Sequence, residues 1–164
     1  MISIVLGSDS DVEIYRDIAS ALKDLDVPFE KRIISAHRCP DILREYVTAA
    51  EGRGVKIFIA VAGMAAALPG VIASHTLLPV IGVPVALKSP VGGLDSLLSM
   101  LQMPPGIPVA CVALNGGRNA ALLAAHILAL SDDNVKRRLQ TGREDMKKRV
   151  VEKDQKFSKT TGDF

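Results

Sequence analysis

Two short stretches hold the residues best able to do chemistry: "GSDSD" (7–11) and "SAHRCP" (35–40). The second carries His37, whose imidazole can pass a proton near neutral pH. A helix start after Pro40 favours its neutral form, and an anionic ligand favours the protonated one. Arg38, next to it, can grip a phosphate with two parallel N–H donors. Pro40 suits the first turn of a helix capped at Cys39, a weaker cap than Ser or Thr by about 1 kcal/mol. In the first stretch Gly7 lets the chain turn, and Ser8 and Ser10 add hydroxyls. Asp11 repels phosphate but accepts well from ribose hydroxyls. Ser10 and Glu13 have capping-box spacing, so a helix is expected from Asp11, and its first N–H groups favour an anion. Each motif also has a plain reading: Ser10 as a simple cap, His37 as an incidental loop residue. A third stretch, "GMAAALPG" (63–70), has no donor, acceptor or charge on its side chains. Small residues there let backbone lie against a ligand.

Other chemistries find no pattern. The lysine of a phosphate-binding P-loop is missing, as are GxGxxG and GxSxG. No His, Cys, Asp or Glu cluster has metal-ligand spacing, and no cofactor is expected. His75 and His126 read as packing or interface residues on helices. Lys88, in a loop, reads as an exposed lysine within reach of an anion.

Five apolar runs must position these loops: 2–6, 29–35, 55–63, 79–85 and 107–114. All but the second are nearly continuous, the pattern of strands covered on both faces. The second alternates and is expected at an edge. Helical patterns separate them at 11–25, 40–54, 65–77, 93–103 and 119–130. The order is strand–helix repeated, and right-handed crossovers then give an α/β, flavodoxin-like three-layer sandwich. Its five-stranded parallel sheet is expected in the order 2-1-3-4-5. Ligands of such sheets bind beyond the carboxyl ends of the strands, where the strand order reverses. The loops after strands 1, 2 and 3 should meet there and form a pocket for a phosphate and a ribose, with one acid/base histidine.

Composition narrows the class. The chain has 164 residues, few aromatics and no Trp, which suits one domain with an aliphatic core. Residues 1–131 are expected to form it. Residues 132–164 are expected to add a charged, protruding C-terminal helix that frays near "TTGDF". That helix reads either as a solvated tail or as an arm on a neighbouring subunit, with Val135, Leu139, Met146 and Val150 at helical steps. A net charge of +2, from 20 basic and 18 acidic residues, argues against nucleic acid or a membrane surface. No apolar run approaches the roughly 20 residues of a membrane span. Cys39 and Cys111 form no CxxC pair. A soluble, cytoplasmic protein is the expectation.

The same residues carry a family resemblance from about Ile2 to about Leu130. "GSDSD", "SAHRCP", "LPGVIAS", "GLDSLLSMLQMPPGIPVA" and "NAALLAA", in that order, resemble the N5-carboxyaminoimidazole ribonucleotide mutases of purine biosynthesis. That resemblance implies a cofactor-free homo-octamer with C-terminal helices reaching neighbours. It implies transfer of a carboxyl group from the exocyclic nitrogen to ring carbon 4 of an aminoimidazole ribonucleotide. His37 would be the proton carrier. Ser8, Ser10, Asp11, Ser35 and Arg38, with Gly7 and Ala36 in the same loops, would hold ribose and phosphate. Gly63, Met64, Ala65, Ala66, Ala67 and Leu68 would cover the base and CO2. Where the family reads AGGAAHLPG, this chain reads "AGMAAALPG": Met64 stands for glycine and Ala67 for histidine. If that imidazole helps orient the carboxylate or CO2, losing it costs about 2–4 kcal/mol of transition-state binding. His75, about 12 Å further along a continuous helix, would be a poor substitute. Two other functions fit this pattern less well. One is the related CO2-dependent carboxylase, whose third loop looks like AGRSNxL. The other is a ribonucleotide-binding homologue without turnover.

Overall fold

A computed structural model of the chain describes residues 1–87 and 89–159. Lys88 and the "TTGDF" tail lie outside the described residues. Contacts divide the chain into two compact units, Met1–Ala124 and Ala125–Phe164.

The first unit is built on five parallel strands: β1 (Ile2–Leu6), β2 (Phe29–Ile33), β3 (Ile57–Gly63), β4 (Val80–Val85) and β5 (Ala110–Cys111). Their order is β2-β1-β3-β4-β5, with the alternating strand at one edge, as its pattern suggests. The helices are α1 (Val12–Asp24), α2 (Pro40–Thr48), α3 (Leu68–Ala73), α4 (Leu94–Leu101) and α5 (Gly117–Leu128), which continues into the second unit. Alternation along the strands sorts the core into two layers. Val5, Phe58, Ala60 and Val80 pack with Leu43, Ile72 and Met100 of α2, α3 and α4. Ile4, Ile59, Val61 and Ile81 are equally buried and alternate with them, facing the opposite side. There α1 buries Ile14, Ile18 and Leu22, and Gly117 of α5 fits close against Ile14.

Register places the site. Leu6 pairs with Ile33 on one side and Val61 on the other, so three loops leave the sheet side by side. Gly63 pairs with Val85, which brings the loop after β4 alongside.

Several boundaries differ from the sequence pattern. The Ala-rich stretch 65–77 is helical only over Leu68–Ala73. Pro69 fits its first turn, and Met64 in a left-handed conformation (φ 55°) bends the chain before it. His75 therefore lies in a turn past the helix end, not on a helix, and the 12 Å separation has no helix to support it. His126 is on α5 but exposed, not packed. β5 keeps two paired residues, Ala110 and Cys111, of the expected 107–114.

A polar network joins β1, β2, α2 and the 3-10 turn Glu51–Arg53 that follows α2. Ser3 of β1 donates to the Tyr46 hydroxyl of α2 (2.7 Å), which donates to Glu30 of β2. Arg53 adds two hydrogen bonds to Glu30, 3.1 and 3.3 Å, and lies over the Tyr46 ring. Partial burial alone would raise the Glu30 pKa, but the hydrogen bonds from Arg53 and Tyr46 outweigh it and hold it below the usual carboxylate value. A carboxylate depressed in the folded state contributes stability above its unfolded pKa and loses it as pH falls through the folded value. Tyr46→Phe should therefore cost about 1–2 kcal/mol at neutral pH and flatten the acid side of the stability curve. Denaturant unfolding at several pH values checks both.

In the second unit, α6 (Asp133–Lys159) follows Asp132, whose carboxylate accepts from the Asn134 and Val135 N–H groups at 2.9 and 3.2 Å. Val135 and Leu139 are buried, whereas Met146, Val150 and Phe157 are exposed. No helix among the described residues is long and apolar enough to cross a membrane.

Candidate active site

The first loop closes on Ser8, not on the expected Ser10–Glu13 capping box. Ser8 Oγ accepts from the Ser10 N–H (3.3 Å) and caps a 3-10 turn, Asp9–Asp11, that precedes α1. The extra turn shifts the helix start to Val12 and leaves Ser10 Oγ donating to Asp11 Oδ1 at 3.2 Å. Asp11 is 4% exposed, tucked under the loop. Gly7 keeps a negative φ and a Cβ would fit there, so the turn itself does not demand glycine.

The second loop is a single turn braced by Ser35. Its carbonyl accepts from the Cys39 N–H (3.0 Å) and its hydroxyl from the Arg38 N–H (3.3 Å). His37 and Arg38 sit exposed at the tip. Cys39 takes the cap position of α2 without a side-chain hydrogen bond, and Pro40 the first turn.

The third loop follows from close approach. A Cβ on Gly63 would lie 3.3 Å from the Val85 carbonyl oxygen, tight enough to push the strands apart. Two narrow turns follow, with the Ala66 N–H on the Met64 carbonyl (2.8 Å) and the Ala67 N–H on that of Ala65 (2.7 Å). Ala67 caps α3 and supplies no side-chain group to its free N–H donors.

These loops enclose one cavity of about 350 Å³. It is lined by Gly7, Ser8, Ser10 and Asp11, by Ser35, Ala36, His37 and Arg38, and by Ala62 through Leu68. The structure thus brings the candidate residues of these three loops to one place. Ala62 and Leu87 line it too and were not expected. Leu87 is a lone leucine in a loop; only the Gly63–Val85 pairing brings it alongside. His75 lines a different cavity, with Thr76 and Pro108. The volume is in the range of small-molecule sites. A proton carrier and a guanidinium stand on one loop, hydroxyls and a carboxylate on another, and an uncharged floor between them.

A family model described as AIR carboxylase matches residues 1–149. The chain belongs to the AIR carboxylase family. It is 52% identical over 147 residues to N5-carboxyaminoimidazole ribonucleotide mutase of Pyrococcus abyssi, covering 90% of this chain and 84% of that protein. It is 48% identical over 154 residues to the mutase of Bacillus subtilis, covering 93% and 94%. A crystal structure of Treponema denticola PurE superposes with a TM-score of 0.82 at 30% identity, covering 94% of this chain and 96% of that one. The AIR carboxylase family match spans all three loops, so the sheet order and the cavity belong to the part of the chain that defines membership.

Proposed function

We propose that this chain is an N5-carboxyaminoimidazole ribonucleotide mutase, giving 4-carboxy-5-aminoimidazole ribonucleotide in purine biosynthesis. One observation carries the reading: in a chain about half identical to named mutases, His37, Arg38, Ser8 and Asp11 line the same cavity. Arg38 and the start of α1 take the phosphate, and Asp11 and the serines take ribose hydroxyls. The protonated His37 gives its proton to the exocyclic nitrogen as the carbamate N–C bond breaks and CO2 leaves. The aminoimidazole ring then attacks the retained CO2 through carbon 4. Neutral His37 removes the proton from that carbon, which restores the aromatic ring and recharges the histidine. The sum is an isomerisation with no net proton or electron, so no redox partner is required.

The proposal includes assembly of identical copies into an octamer. Leu94, Leu98 and Leu101 form an exposed apolar stripe on α4 that supports such contacts. A cytoplasmic setting accords with the free thiols of Cys39 and Cys111.

Ala67 favours a second reading, binding without turnover, because it leaves the third-loop wall of the cavity without a polar side chain. The two separate in one assay. Supply the carboxyamino ribonucleotide, and separately the uncarboxylated one with bicarbonate, and follow the carbon-4 product. Product from the first alone supports the mutase, and binding without product from either supports the second reading.

A further inference from the structure

The second unit has a cavity of its own, of about 370 Å³, lined wholly by residues after Ala125. His126, Ala129 and Leu130 come from the end of α5 and the turn after it. Lys136, Leu139, Gln140 and Arg143 come from α6, where steps of three and four put them on one face. Leu139 is buried, and His126, Lys136, Gln140 and Arg143 are exposed around it. The turn between the helices is fixed. The Leu130 and Ser131 N–H groups donate to the Ile127 and Leu128 carbonyls, and the Asp132 carboxylate caps α6. These bonds hold two helix faces around the cavity before any ligand arrives, which lowers the cost of binding one.

The charge of the lining is one-sided. It holds three basic side chains and an amide, and no carboxylate. Among the described residues, none of those three basic side chains has a hydrogen-bond or ion-pair partner. Three other cations of α6 are engaged: Arg137 bonds the Asn134 side chain, Lys148 pairs with Asp145, and Arg149 donates to the Asp145 carbonyl. Cations left unpaired around one concave surface concentrate anions there. We infer that this cavity is a second anion site, for a ligand carrying a diphosphate. Positions 136 and 143 are seven residues apart, about 10 Å along the helix axis. Side chains reaching inward from that spacing meet two linked phosphates more readily than one, and the Gln140 amide donates between them. His126 adds a donor from α5. The carbon part of the ligand rests on Leu130, which is 87% exposed, beside Ala129. No residue of the sheet cavity enters this site, so it stands apart from the mutase reading.

The test is calorimetric titration of Arg38→Gln with inorganic pyrophosphate at low ionic strength. That variant lacks the guanidinium of the sheet cavity, so phosphate binding there does not mask the second unit. One pyrophosphate per chain is expected to bind. Adding Lys136→Gln or Arg143→Gln is expected to weaken it about tenfold, through the loss of one charged contact. Both positions are exposed, so neither substitution removes packing. Lys153→Gln, which removes an exposed cation of the same helix outside the lining, is expected to leave binding unchanged. Inorganic phosphate is expected to bind about tenfold more weakly than pyrophosphate. No pyrophosphate bound to Arg38→Gln would overturn the inference, as would binding that neither Lys136→Gln nor Arg143→Gln weakens. Equal weakening by Lys153→Gln would reduce the site to diffuse attraction, and equal affinity for inorganic phosphate would remove the diphosphate. Turnover of the carboxyamino ribonucleotide by wild type decides the mutase reading separately.

Discussion

Replacing His37 with asparagine is expected to lower turnover by about 10²–10⁴-fold, the span of one general acid/base group. The effect should fall on kcat, with KM little changed. Asparagine keeps the size and one hydrogen-bond donor, so the Ser35-braced turn that carries position 37 has no reason to collapse. His37 is exposed at the tip of that turn, and the bonds that brace it come from the Ser35 carbonyl and hydroxyl to the N–H groups of Cys39 and Arg38. Arg38, Ser8 and Asp11 remain to hold the ribonucleotide. What disappears is the ability to give a proton to nitrogen and take one from carbon 4. Steady-state kinetics with ribonucleotide binding measured in parallel checks this. A variant that binds and turns over as wild type does would remove His37 from the proton path.

The second large effect runs the other way. Ala67→His is expected to raise kcat/KM by about thirtyfold or more, the equivalent of about 2–4 kcal/mol of transition-state stabilisation. Position 67 accepts the change without backbone strain, since its φ and ψ of −70° and −19° are open to any residue. It lines the cavity and precedes the free N–H groups of α3, where an imidazole can orient a carboxylate or CO2. No histidine already present fills this role. Among the described residues, His37 is the histidine that lines this cavity, and His75 lines another. If Ala67→His leaves kcat/KM unchanged in a chain that is already active, the third-loop wall works without an imidazole, and Ala67 is a neutral replacement.

Some of this was legible in the amino-acid order and some was not. The strand order follows from continuous apolar runs separated by helical periods, because strands buried on both faces leave no room for polar alternation. The three loops were legible for a related reason: parallel strands end together, so the residues after them meet. The start of α1 was misplaced because the Ser10–Glu13 spacing fits a capping box equally well as a segment entered through a Ser8-capped 3-10 turn. The helix from 65 to 77 was overextended because alanine spacing carries no punctuation. The left-handed conformation at Met64 and the two narrow turns after it carry no signal in a run of small apolar residues. Leu87 was invisible because its place depends on pairing between strands. A leucine in a loop carries no signal until sheet pairing places it beside a cavity.

The central claim is that the carboxyl group leaves nitrogen and is recaptured by carbon 4 within this one cavity. It is tested most directly with the carboxyamino ribonucleotide labelled with carbon-13 in its carboxyl group, turned over in unlabelled bicarbonate buffer. The account predicts carbon-4 product that retains the label. Product carrying unlabelled carboxyl from the buffer would contradict it and make the chain a carboxylase that draws on free CO2.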